Sequence, residues 1–365
     1  MEKYLVDALS NFKIDGTLVS VEPYGFGHIN RTFLAIYDVN GQSKRYILQQ
    51  INSKLFNPVE HLMSNIELVT EFNRKRIAER GGDPDRESLT IVRTNDNKTF
   101  YKDAEDNYFR VYIFIERTVA YQTVANPKDF YYSAIAFGNF ANLLAEFDAS
   151  QLYETIPLFH NTVNRFKNFK EAVEKDAFGR AKDCQEEIKF IMDREHYYGK
   201  IVGMLESGEM PLRVTHNDTK LNNVLLDDKS GEPVAVIDLD TMMPGSLCYD
   251  FGDSIRFGCN PCEEDEKDLS KVNFRFDLYK TYLDGYLTAL GDSITQIEKD
   301  NLALGSIMMT IECGMRFLTD YLNGDVYFKI HYPQQNLDRA RCHLVLARDM
   351  VKHLEEMQEI VNKYC

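Results

Sequence analysis

The stretch "VTHNDTKLNNVLL", residues 214–226, decides how the rest of the chain is read. An apolar, strand-like run breaks into a cluster that between Asp218 and Asn223 holds one acid, one lysine and two asparagines, then resumes as a second apolar run. Asp218, Lys220 and Asn223 stand at positions 0, +2 and +5 of the break, and Asp238 ends a further apolar run inside "VIDLD". Asx-rich loops between strands are common, because Asn and Asp bond their own backbone in turns. Flanking strands on both sides and a second acid at a strand end favour chemistry over a plain turn.

Phosphoryl transfer needs such a set. A carboxylate orients and deprotonates the attacking hydroxyl, an amide oxygen and a second carboxylate hold magnesium, and a cation stands near the transferred group. The spacing from Asp218 to Asn223 equals the Asp-to-Asn spacing of the kinase loop H-R-D-x-x-x-x-N. Asp250-Phe251-Gly252 spells a second kinase motif, but it lies 32 residues past Asp218, whereas Asp238 lies 20 past it at a strand end. Magnesium is therefore assigned to Asn223 and Asp238, and Asp250 is expected to cap the next helix or brace the loop.

Upstream, "LVSVEPYG" and "TFLAIYDV" read as two strands joined by "GFGHINR", and "KRYILQQI" as a third. Gly25 and Gly27 let backbone amides approach phosphates without a Cβ in the way, although any hairpin turn can carry two glycines. His28 and Asn30 extend polar groups from the same loop, either as ligands or as turn-stabilising groups. Val21 and Glu116 are also assigned to nucleotide binding. The lysine expected on the third strand is absent: Gln49 stands there, which leaves the usual lysine–glutamate pair, and Glu67 with it, in question. Lys220 is expected to supply part of the missing charge.

A helix with Leu62, Ile66, Val69 and Phe72 on one face follows, then more strands to "YFRVYIFIE". Beyond about residue 117 the pattern turns helical. Asn126 and Pro127 open one helix, and others are predicted over 165–207, 263–290, 295–323 and 337–363 around a small β island. The expected division is 1–115, a nucleotide-binding lobe, and 116–365, a catalytic lobe. The chain is 44% hydrophobic and 27% charged with net charge −15, and no basic run suggests nucleic acid or a polybasic membrane surface. The seven cysteines show no CxxC pairing and read as reduced thiols. With no signal-like start and no run of about 20 apolar residues, a cytoplasmic, soluble protein is expected.

The segments "THNDTKLNN" and "IDLD", within this two-lobe pattern, resemble the aminoglycoside phosphotransferase and choline kinase superfamily. With "EPYGFGHIN", "RYILQQIN", "DFGDSIRFG" and "ECGMRFLTDYLNGDVYF", they are similar to its branch acting on N-acetylhexosamines. The resemblance implies an α+β, protein-kinase-like bilobal fold and ATP- and magnesium-dependent phosphorylation of the anomeric hydroxyl of N-acetylglucosamine or N-acetylgalactosamine. It makes Asp218 the base, and His28, Phe257, Arg316 and Tyr327 the sugar pocket. Phe257 could instead be core packing, and Arg316 could simply pair with Glu312 at i,i+4.

Overall fold

A computed structural model describes residues 2–25, 27 and 29–364. His28 lies outside the described residues. The chain divides into two compact units: one holds the chain up to Val119 with 151–157 and 225–243, the other holds 120–150, 158–224 and 244–365.

The first unit is built on an antiparallel sheet. In spatial order its strands are Thr17–Pro23, Arg31–Val39, Gln42–Ile51, Tyr108–Ile113 and Ile91–Val92, with Tyr101–Lys102 also paired to Tyr108–Ile113. Alternation sends Phe33, Ala35, Tyr37, Tyr46 and Leu48 to one face, where they close with Val21, Phe109 and Val111 over Leu5, Ala8, Leu9 and Phe12. Each large apolar side chain among these stabilises by about 1.5–3 kcal/mol. The short helix Lys3–Leu9 that contributes Leu5, Ala8 and Leu9 was not expected from the sequence. Val21, assigned to the nucleotide, is a member of this cluster and only 6% exposed.

The predicted division at residue 115 is redrawn by packing. Thr118–Val119 pairs with Val224–Asp227, Arg86 bonds Asp227 at 2.6 Å, and Asn65 on the helix Val59–Glu79 donates to the Met242 carbonyl at 3.0 Å. These links draw 225–243, and Asp238 with it, into the sheet unit rather than the helical one.

The second unit is mostly helical and includes the small strand Arg213–Thr215. Its central helix, Gln296–Leu322, is long and apolar enough to cross a membrane by composition, yet most of it is buried against Thr162–Lys175, Leu247–Gly258 and Gln335–Lys352. Helix Pro127–Leu143 begins as predicted, with Asn126 Oδ1 accepting from the Lys128 amide at 2.9 Å and Pro127 in the first turn. It packs on Phe276–Leu290. The helix predicted over 165–207 is broken into pieces, the first stopped by Asp176 in the left-handed region. That predicted over 263–290 starts only at Phe276. The six described cysteines are free thiols.

Candidate active site

The loop after Arg213–Thr215 is held by acids from the helix Leu247–Gly258. Asp250 accepts the backbone N–H of His216 and of Asn217, each at 2.8 Å, and Asp253 accepts that of Thr219 at 3.0 Å. Thr219 Oγ1 returns a bond to the Asp250 carbonyl at 2.6 Å. The imidazole of His216 sits edge-on to Phe137. Asn217 is left-handed at φ 63, a conformation asparagine tolerates well. Of the two uses expected for Asp250, bracing the loop is the one observed, since Ser246 caps the helix.

The Asp250-Phe251-Gly252 spelling has its own packing logic. Phe251 is core, and a Cβ on Gly252 would lie 2.5 Å from the Gly305 carbonyl oxygen, so glycine lets two helices cross closely. Burial pushes the Asp250 carboxyl up to about 6, despite the amides that favour its charge. Asp253 behaves oppositely. Burial would raise it, but the charges of Arg256 and Lys220 outweigh that and hold it below the usual carboxylate range. Arg256 Nε lies 2.8 Å from Asp253 Oδ1 and both side chains are buried.

Within this frame Asp218, Lys220 and Asn223 come together. Lys220 Nζ lies 3.1 Å from Asp218 Oδ1, and Asn223 Nδ2 donates to Asp218 Oδ2 at 3.1 Å and to its carbonyl at 2.8 Å. The Asp218 carboxylate pushes the Lys220 ammonium up, against the effect of burial. With the amide hydrogens of Asn223 turned to Asp218, its oxygen remains an acceptor suited to a hard cation.

The remaining residues expected in the second unit divide by environment. Glu312, the suggested partner of Arg316, binds His160 Nδ1 at 2.8 Å and the Thr162 hydroxyl instead. Arg316 has no hydrogen bond or ion pair among the described residues, and its guanidinium stacks 5.1 Å from the Phe159 ring centroid and 5.6 Å from that of Phe328. Phe257 is half-buried rather than core. Tyr327 is 59% exposed, its backbone held by Asp320 and its ring edge-on to Phe328. A further cluster, Glu264, Cys313 and His343, has metal-ligand atoms within 4.8 Å of one another. Arg256 Nη1 stands 3.2 Å from His343 Nε2 and 3.5 Å from Glu264, so a cation is already in place and the group reads as an ion network.

In the first unit the "VIDLD" turn is the centre. Asp238 is left-handed at φ 59, and the short turn Leu239–Thr241 follows it. Asp240 pairs with Arg110 at 2.6 Å and accepts from Asn30 Nδ2 at 2.5 Å, while Asn30 Oδ1 accepts the Asn52 amide. Gln49 lies between, accepting from Arg110 Nε at 2.9 Å and donating to Thr32 Oγ1 at 3.1 Å. Asn30 and Gln49, expected at the nucleotide, thus meet at this turn. Glu67 pairs with Arg93 and not with residue 49. It is Asn65, two residues earlier, that ties the long helix to the turn. Glu116 forks with Arg45 on the surface while its carbonyl accepts from Arg86. Gly25 is at φ +78, and an added Cβ at Gly25 or Gly27 would meet nothing within 4 Å among the described residues, which leaves that backbone open to approach.

Sequence reasoning missed Asp253, Arg256, Asn65, Arg110 and Asp240. The signal was weak but present: each is a polar residue at an inward position of an apolar element or one step from a motif.

Residues 20–280 match the family model APH, the phosphotransferase enzyme family. The chain belongs to that family. Its fold is that of three solved structures, all distant in sequence. An aminoglycoside phosphotransferase from Alicyclobacillus acidocaldarius shares 12% identity at TM-score 0.61, with 98% of this chain and 96% of that one covered. Choline kinase from Cryptosporidium parvum shares 15% at 0.57, with 96% and 94% covered. Ethanolamine kinase from Plasmodium vivax shares 14% at 0.54, with 88% and 80% covered. The expected kinase-like α+β class therefore holds, and the chain is a phosphotransferase of this fold.

Proposed function

We propose that the chain is an ATP- and magnesium-dependent N-acetylhexosamine 1-kinase, moving the γ-phosphoryl group to the anomeric C1 hydroxyl of N-acetylglucosamine or N-acetylgalactosamine. Asp218 orients that hydroxyl and takes its proton as oxygen bonds phosphorus and ADP leaves. Lys220 and Asn223 bond the two Asp218 oxygens, so the carboxylate is fixed in direction. The residues that would hold magnesium are Asn223 and Asp238, hard oxygen donors of the right kind. When bound, the ion supplies neutralisation of phosphate charge. The open backbone at Gly25 and Gly27 suits the phosphates.

The acceptor reading is carried by Arg316. A half-buried guanidinium stacked near two rings, with no hydrogen bond or ion pair among the described residues, is preorganised to bond sugar hydroxyl or acetamido oxygens. Burial, and after it the Arg316 charge, push the Arg165 guanidinium down, while the Glu312 charge pushes it up. Two neighbouring guanidiniums, Arg165 and Arg316, disfavour a cationic acceptor such as choline or an aminoglycoside beside them. Phe257 and Tyr327 offer aromatic cover for a sugar face, and His28 further hydrogen bonding.

The test is ³¹P NMR of the protein with magnesium-ATP and, separately, N-acetylglucosamine, N-acetylgalactosamine, glucose, galactose, choline and homoserine. A sugar 1-phosphate formed only with the N-acetylated sugars is expected. Phosphorylation of choline or homoserine instead would overturn the acceptor assignment.

A further inference from the structure

We propose that Arg110 is a positioning residue for the magnesium aspartate: the positive charge missing at Gln49 has moved one strand across and acts through Asp240 on the Asp238 turn. The inference rests on the kinase reading above, but concerns nucleotide and metal rather than the sugar.

Gln49 and Arg110 are direct partners in the register of Gln42–Ile51 and Tyr108–Ile113. Direct partners share a face, and here they are bonded side chain to side chain at 2.9 Å. The guanidinium is 1% exposed, beside the Tyr112 ring and 3.9 Å from Met63 Sδ. Burying a guanidinium carries a desolvation penalty that only a close counter-charge offsets, and replacing such a pair with apolar side chains is often neutral or stabilising. Stability alone therefore does not account for a charge in this position.

Its geometry does. Arg110 Nη2 holds Asp240 Oδ1 at 2.6 Å while Asn30 holds Oδ2, so the carboxylate two residues past Asp238 is gripped at both oxygens. Asp238 also acts on Arg110 directly, its charge helping to keep the guanidinium protonated after burial, which opposes this, and Asp240, which favours it. A lysine on the third strand would bring a mobile ammonium to the site. Here a planar fork, bonded to Gln49 on one side and Asp240 on the other, fixes the turn from behind and keeps Asp240 from competing as a second metal carboxylate. Gln49 is then the acceptor that orients the fork, not an inert replacement.

The test is calorimetric binding of ADP across a magnesium titration, with thermal melting and circular dichroism to establish folding. For Arg110→Gln, magnesium-ADP binding is expected to weaken at least tenfold, with a changed magnesium dependence. Arg110→Lys should recover part of the loss. The exchange Gln49→Lys with Arg110→Gln, which returns a cation to the third strand, should recover most of it. Magnesium-ADP binding by a folded Arg110→Gln protein within twofold of wild type overturns the proposal. So does an exchange variant that folds but binds no better than Arg110→Gln. If neither protein folds, the pair is a stability element and the proposal fails. Wild-type nucleotide binding without sugar phosphorylation would sink the acceptor reading and leave this one standing.

Discussion

The loop at 216–223 and the turn at 238–241 solve one problem in two ways. Each carries a carboxylate assigned to the proposed chemistry, and each is backed by a buried arginine–aspartate pair, Arg256–Asp253 for the loop and Arg110–Asp240 for the turn. Around the loop the acids reach the backbone itself, with Asp250 and Asp253 accepting three amides. At the turn the grip is on a side chain, Asp240, and on the Met242 carbonyl through Asn65. Backbone anchoring fixes where Asp218 starts from, whatever side chains surround it. The part of the turn's anchoring that runs through Asp240 holds only while the partner charge is present. The loop should therefore tolerate changes in surrounding charge better than the turn.

The largest effect is expected at the loop's own acid. Asp218→Asn should lower kcat by about 10²–10⁴-fold, as for loss of a general base. A variant keeping more than a tenth of wild-type kcat would remove Asp218 from that role.

Next come the two buried pairs, compared directly. Arg256→Met and Arg110→Met each leave a buried aspartate unpaired, at a cost of about 3–5 kcal/mol of stability seen in denaturant melts. They should differ in kinetics. Arg256→Met is expected to lower kcat with KM for ATP little changed, because Asp253 still reaches the Thr219 amide. Arg110→Met should raise KM for ATP. Identical kinetic signatures in the two variants would erase the distinction drawn above.

The pH dependence separates the loop further. With its carboxyl at about 6, Asp250 loses charge as pH falls through 6, and the oxygen that takes the proton becomes a weaker acceptor for its amide. The kcat profile should show an acid limb there, absent in Asp250→Asn, which starts from lower activity. Stability runs the other way. A carboxyl raised on folding contributes stability that is full below about pH 4 and lost as pH rises through 6. Replacing Asp250 with Asn should therefore flatten the change in Tm between pH 4 and 7.

The smallest effect belongs to Glu116. Its pair with Arg45 is half-exposed, so Glu116→Gln should cost about 0–1 kcal/mol and leave the nucleotide Kd unchanged. A weakened Kd would give Glu116 the nucleotide contact expected from its sequence position.

How much was legible follows from how local each signal is. The group Asp218, Lys220 and Asn223 falls within six residues, so its members meet almost regardless of what surrounds them. Period-two alternation fixed the faces of Arg31–Val39 and Gln42–Ile51. Asp250 as a brace could be foreseen as one of two uses, because the spacing had already given the metal position to Asp238. Helix ends within 165–207 could not, since Asp176 ends a helix by its backbone conformation rather than its hydropathy.

Arg110 marks the limit most clearly. In "YFRVYIFIE" it is one charge in an apolar strand, and its chain neighbours name no partner. The partner, Asp240, is 130 residues away, and Gln49 joins the pair only through the register of two strands. The sequence by itself determined the sheet faces, the acid–lysine–asparagine loop and membership of a phosphotransferase family, because these rest on local periodicity and short spacing. Only the tertiary structure decided which acids are held by which cations: burial makes an unpaired charge too costly to keep, and burial is a property of the packed chain.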